Sequence, residues 1–211
     1  MYKKFFFALA LALWVSASAF GQQWMIGFRG GADIATLHYQ NTTTNNLFST
    51  YNLVGFTASI PVEYQFSKRF SLQTELSVVQ KGLGGLKWTD DQGFPIAGNP
   101  KLIFEYIEVP LLAKFNFGNG KLQFNTLIGT SLGYEIGQYV TPLSLFPPSS
   151  DKTNMQTQKT DFSLNGGLGM SYNLRFGKIF VEERYQMSLT SPEPNSKGRV
   201  FYSSAGIMFK I

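Results

Sequence analysis

The chain contains no cysteine, which excludes a disulfide framework, thiol catalysis, a cysteine-ligated metal and the lipidated cysteine of a bacterial lipoprotein. It has a single histidine, His38, so no pair of imidazoles is available to anchor a metal site, and none is expected. Beyond the first fifteen residues no apolar run approaches the ~20 residues that a membrane-spanning helix requires. Charged residues make up only 15% of the chain, against roughly 25% in an average soluble domain. The formal charge is +5, with the cations scattered rather than in runs, so there is no footprint for nucleic acid.

What is present begins with a leader. MYKKFFFALALALWVSASAFGQQ has two lysines (Lys3 and Lys4), an apolar run from Phe5 to Val15, then small residues, which are the three parts of a secretory signal. The apolar run is roughly 11 residues, too short to remain as a helical anchor, and the segment is expected to be removed. Cleavage fits after Ala19 or after Gly21, and the second is preferred. The domain reading is therefore a signal peptide over residues 1–21 and one domain over 22–211.

The mature chain is rich in aromatics and carries 21 glycines in the whole sequence, yet lacks any helical span. A barrel whose lipid-facing residues alternate with lumen-facing ones satisfies both facts. Strict alternation, which a half-buried strand requires and a helix does not produce, recurs eight times. In the second segment Val54, Phe56, Ala58, Ile60, Val62, Tyr64 and Phe66 alternate with Gly55, Thr57, Ser59, Pro61, Glu63 and Gln65. The others begin near Trp24, Phe70, Ile103, Leu122, Asp161, Ile179 and Phe201 and follow the same rule. Glu183 breaks it: it falls on the lipid side, with an interfacial position as its only account.

The connections alternate in length. Tight turns are expected at Ser67 to Arg69, Gly118 to Gly120 and Arg175 to Lys178, and long polar loops at Leu37 to Thr50, Gly82 to Pro100, Gly137 to Lys159 and Thr190 to Arg199. Asn119-Gly120 is the strongest turn signal, because a two-residue hairpin needs positive φ at both centres. The fold expected is all-β: an eight-stranded antiparallel transmembrane barrel, an up-and-down meander with short periplasmic turns and long extracellular loops. Its place is the outer membrane of a Gram-negative cell.

The alternation puts Arg29, Asp33, Glu63, Glu75, Lys81, Glu108, Lys114, Glu135, Asp161, Glu182, Arg184 and Lys210 on the lumen face. An eight-stranded interior is only wide enough for side chains, and buried charge must be paired, so these residues are expected to form a network that plugs the lumen. A proton or ion path through the same residues is the alternative. Paired carboxylates such as Glu63 and Glu75 have the chemistry of an acid–base couple, but with bases nearby catalysis is not expected. GFRGGAD lacks the spacing of a dinucleotide fingerprint, and its glycines read as room for inward side chains and curvature. The sequon at Asn41 is discounted for an exported bacterial chain.

Aromatics collect at the short-turn ends (Phe66, Phe70, Phe115, Phe117, Phe124, Tyr172, Phe176) and at the outer ends (Tyr39, Tyr51, Tyr134, Tyr139, Tyr185), as two interfacial girdles would. The last eight residues, SAGIMFKI, resemble the C-terminal insertion signal read by the barrel assembly machinery, with Ser204, Gly206, Phe209 and Ile211 at its polar, small and apolar positions. The segments SLQTELSVVQKG, YIEVPLLAKFNFG, GTSLGYEIG, SLNGGLGMSYNL and VEERYQMSL resemble the PorT-like, porin-family outer-membrane barrels. That resemblance implies a role in or near secretion across the membrane, or a porin-like one. The expected partners are outer-membrane lipid, the assembly machinery during biogenesis and a protein met through loops or turns, with no nucleic acid and no cofactor. A plugged structural, binding or assembly barrel is the leading expectation, a narrow channel the second, and a barrel enzyme the last.

Overall fold

The structure is a computed structural model that describes residues 23–39, 48–89, 95–96, 101–118, 120–141, 151–152, 159–190 and 196–211. The leader and its two cleavage sites, the sequon at Asn41 and turn residue Asn119 lie outside the described residues.

Eight long strands make the wall: β1 (Gln23–Tyr39), β2 (Phe48–Gln65), β3 (Phe70–Thr89), β4 (Lys101–Phe117), β5 (Leu122–Thr141), β6 (Thr160–Asn173), β7 (Gly177–Ser188) and β8 (Ser196–Lys210). Each pairs antiparallel with its neighbours in sequence, and β8 returns to β1 with a register running from Met25 opposite Lys210 to Tyr39 opposite Ser196. Closure leaves the wall without a free edge, so the ladder satisfies its backbone groups internally, as hydrocarbon demands. Two-residue strands at Pro95–Ile96 and Asp151–Lys152 pair antiparallel with the outer ends of β3 and β5.

The sheet faces follow the alternation in the sequence. Val54 is 73% exposed and Ile128 64%, whereas Ser71 and Gln73 on the other face are fully buried. Apolar residues outside and polar residues inside invert the pattern of a soluble barrel, and only a lipid exterior makes that arrangement favourable. Around the short-turn end Trp24, Tyr64, Phe66, Phe70 and Phe115 form a chain of ring contacts with centroids 4.6, 4.6, 5.5 and 5.3 Å apart. The girdle expected there from Phe66, Phe70 and Phe115 thus extends to Trp24 and Tyr64.

The structure departs from the sequence reading in three places. Strands reach well into the expected outer loops: β1 continues to Tyr39, β2 starts at Phe48, β3 runs to Thr89, β5 to Thr141 and β8 starts at Ser196. Alternation marks only the height of wall in contact with lipid, while backbone pairing continues wherever two chains stay side by side. Gly82 therefore lies inside β3, where its φ of 144° and the nearby Leu102 carbonyl, 1.9 Å from where a Cβ would stand, exclude other residues. The link between β4 and β5 spans 118–121, and Gly118, with φ of 99°, supplies the positive φ that the two-residue hairpin placed at Asn119-Gly120. Finally, Lys178 belongs to β7 and faces inward, not to a turn.

Candidate functional site

The site is the lumen. Of the twelve residues expected there, Arg29, Asp33, Glu63, Glu75, Lys81, Glu108, Lys114, Glu135, Asp161, Glu182 and Arg184 are buried inside the barrel. Lys210 is on the inward side of β8 but stands exposed at the rim, and it makes none of the ion pairs found among the described residues. Lys178 takes the fifth cationic place. Its row on β7 is interrupted by the inward Phe180, which hid the parity linking it to Glu182 and Arg184.

Near the short turns, Lys178 donates to both Glu63 oxygens at 2.8 Å, and Lys114 lies 3.6 Å from the same carboxylate. Lys114 also donates to Glu182 and, at 2.9 Å, to Gln73, with its ammonium 5.7 Å from the Phe180 ring centre. Arg184 then joins Glu182 and Glu75, donating to each at 2.5 Å, and Arg29 meets Glu75 at 3.0 Å. These seven side chains form one continuous chain of opposite charges. Each anion has at least two cationic neighbours, the condition under which charge out of water is tolerated.

Further toward the long loops, Lys81 donates to Glu108 and, at 2.6 Å, to Asp161. Ser163 and Ser188 donate to the same Asp161 oxygen at 3.0 and 3.1 Å. Gln186 donates to Glu108 at 3.0 Å and to the Ser131 hydroxyl at 2.7 Å, and accepts from Tyr202 at 2.5 Å. Glu135 accepts from Gln138 at 2.5 Å. Asp33 differs: it is fully buried, yet neither oxygen has a hydrogen-bond partner among the described residues.

Apolar residues flank the charges inside the same lumen. Met25, Phe180 and Met208 form one buried cluster near the short turns. Leu83, Leu102, Phe104 and Tyr106 form another near the long loops, with Ala35, Leu53, Val79, Val200 and Tyr202 beside it. Alternation in the sequence places Tyr106, Tyr202 and Met208 on the inward face but does not assign the other residues of these clusters to it.

Space for the charges comes from glycine. Across the ladder Arg29 faces Gly206, Asp33 faces Gly55, Glu108 and Asp161 both face Gly133, Glu182 faces Gly169 and Arg184 faces Gly167. A Cβ at Gly169 would come 2.8 Å from Glu182 Cγ, and one at Gly55 would come 2.9 Å from Asp33 Oδ2. In so narrow a cylinder a long side chain needs an empty neighbouring position.

In the C-terminal segment Ser204 is buried inward and donates to the Glu182 carbonyl at 3.2 Å, while Gly206 makes room for the Phe180 ring, 2.5 Å from where its Cβ would be. Phe209 and Ile211 point outward, and Phe209 stacks on Phe176 with ring centres 5.9 Å apart. Outward Glu183 accepts from the Ser203 hydroxyl at 2.7 Å. Its neighbours on that face of β7 are Val181 and Tyr185. His38 lies in β1 opposite Lys197.

No curated protein matches the chain. Among solved structures, Neisserial surface protein A is 15% identical, with 91% of this chain and all of that one covered and a TM-score of 0.50. OprG from Pseudomonas aeruginosa is 12% identical, over 90% of this chain and 96% of that one, also with a TM-score of 0.50. Ail of Yersinia pestis is 17% identical over 89% and 99%, with a TM-score of 0.44. The first two show the same kind of closed antiparallel barrel. The profile of the outer membrane protein beta-barrel domain matches residues 20–192, and with this fold the chain belongs to that family and to the outer membrane.

Proposed function

We propose that the chain is exported by its first 21 residues and inserted as a closed, non-conducting barrel that acts as a structural, binding or assembly component of the membrane. The observation that carries this reading is the unbroken ionic chain from Lys178 to Arg29, flanked inside the lumen by apolar clusters. For a solute to pass, Arg184 would have to leave two carboxylates at once, stranding buried charges at a cost of about 3–5 kcal/mol. Five inward carboxylates, Glu63, Glu75, Glu108, Asp161 and Glu182, are committed to cations rather than presented in a cleft, which supports a non-enzymatic role. The resemblance to PorT-like barrels supports an assembly or secretion-associated one.

Planar-bilayer recording of the refolded protein tests the reading. The expected result is silence from protein shown to be inserted. Discrete, reproducible conductance steps would overturn it and make the inward charges selectivity elements of a narrow channel.

A further inference from the structure

The cations that the sequence scatters are gathered by the fold at one end. Each short turn carries an exposed one: Lys68 and Arg69 between β2 and β3, Lys121 between β4 and β5, and Arg175 between β6 and β7. Lys210 adds another where β8 ends. Glu63 is the carboxylate side chain nearest this end among the described residues, and it is buried and occupied by Lys178. Among the side chains described at this end, the cations outnumber the carboxylates.

The mouth between the turns holds a cavity of about 360 Å³, and its lining sorts the cations. Lys68, Lys178 and Lys210 border it, interleaved with amides such as Gln65, Gln123 and Asn173, whereas Arg69, Lys121 and Arg175 do not. Toward the lumen the cup ends at Met25 and the Glu63–Lys178 pair.

We propose that this cup binds a carboxylate or phosphate group presented from the aqueous side. It is concave and falls within the size range of small-ligand pockets, which occur in the mouths of barrels. Lys178 is spent on Glu63, but Lys68 and Lys210 have no ion-pair partner among the described residues, and low-dielectric walls focus their field into the cup. The amides between them donate hydrogen bonds to an anion without adding charge. Membrane phosphates encircle the wall and do not reach the centre of the mouth, so they are left to Arg69, Lys121 and Arg175. The cup is present whether or not the lumen conducts, so its test is independent of the conductance measurement.

The experiment titrates the full barrel, refolded in zwitterionic detergent, with citrate and with inorganic phosphate while NMR shifts are followed. Saturable shifts are expected at the cup. Lys68→Glu with Lys210→Glu should weaken the apparent affinity at least about tenfold, while Arg69→Glu with Arg175→Glu should change it by less than about twofold. All four positions are exposed, and heat-dependent gel mobility checks that each variant folds. If the glutamates prevent folding, Lys68→Gln with Lys210→Gln supplies the same contrast. Three results would overturn the proposal: no saturable shift, equal weakening in both pairs, which would make the effect a diffuse field, or a response only to added phosphatidylglycerol, which would assign the surface to lipid headgroups.

Discussion

The two walls of the same eight strands are built to different rules. On the outer wall a side chain needs only to be apolar: Val54, Ile128 and Leu132 face lipid, and none requires a particular partner. On the inner wall most of the buried charges have an identified counter-charge and, in many cases, an empty position across the ladder. Glycine shows the contrast within a single strand. On β6, a Cβ at outward Gly166 would meet nothing within 4 Å, whereas one at inward Gly169 would meet Asn125 Oδ1 at 2.7 Å. The same residue type is incidental on one wall and required on the other.

The largest effect should come from breaking the inner rule at its centre. Arg184→Leu leaves Glu182 and Glu75 without the nearer of the two arginines they share, and equilibrium unfolding in urea should show a loss of about 3–5 kcal/mol. A loss below about 1 kcal/mol would mean that the network fills space without holding the barrel together. Next comes crowding: Gly169→Ala should cost about 1–3 kcal/mol by forcing Glu182 and Asn125 to shift. Its neighbour Gly166→Ala should stay within about 0.5 kcal/mol, and equal effects at the two sites would erase the distinction between the walls.

These contrasts also mark how far the sequence could be read. Strand number and the inward face followed from period two, because a one-residue slip would turn the whole apolar set around. Eleven of the twelve inward charges followed with it, since lipid excludes them from the other face. Partners did not, because Lys114 and Glu182 are 68 residues apart and meet only once the cylinder closes. Lys178 was lost behind Phe180, an apolar residue facing inward, and Phe104, Leu112 and Val79 were hidden by the same assumption that apolar means outward. The positive end was invisible for a similar reason. Lys68, Lys121 and Arg175 lie roughly fifty residues apart, one to each turn, and look scattered until the meander stacks the turns together.

Asp33 tests whether burial alone places a residue under the inner rule. It is as buried as Glu182 but has neither a hydrogen bond nor an ion pair among the described residues. Asp33→Asn keeps the shape beside Gly55 and removes an unpaired charge, so urea unfolding should show unchanged stability or a gain of about 1 kcal/mol. A loss comparable to that of Arg184→Leu would show that Asp33 is tied into the network after all.

The smallest effect is expected at Glu183, a carboxylate on the outer wall between Val181 and Tyr185. An acidic group on a lipid face costs less than the roughly 2–4 kcal/mol of a basic one at the bilayer midplane. Its bond from Ser203, at 2.7 Å, offsets about 1 kcal/mol of that. Glu183→Leu removes both terms and adds apolar contact with lipid, so refolded protein should gain no more than about 1 kcal/mol. A clear loss would carry the other message. It would mean that the carboxylate and Ser203 act together as a specific pair in hydrocarbon, and that the outer wall, at this one position, obeys the rule of the inner.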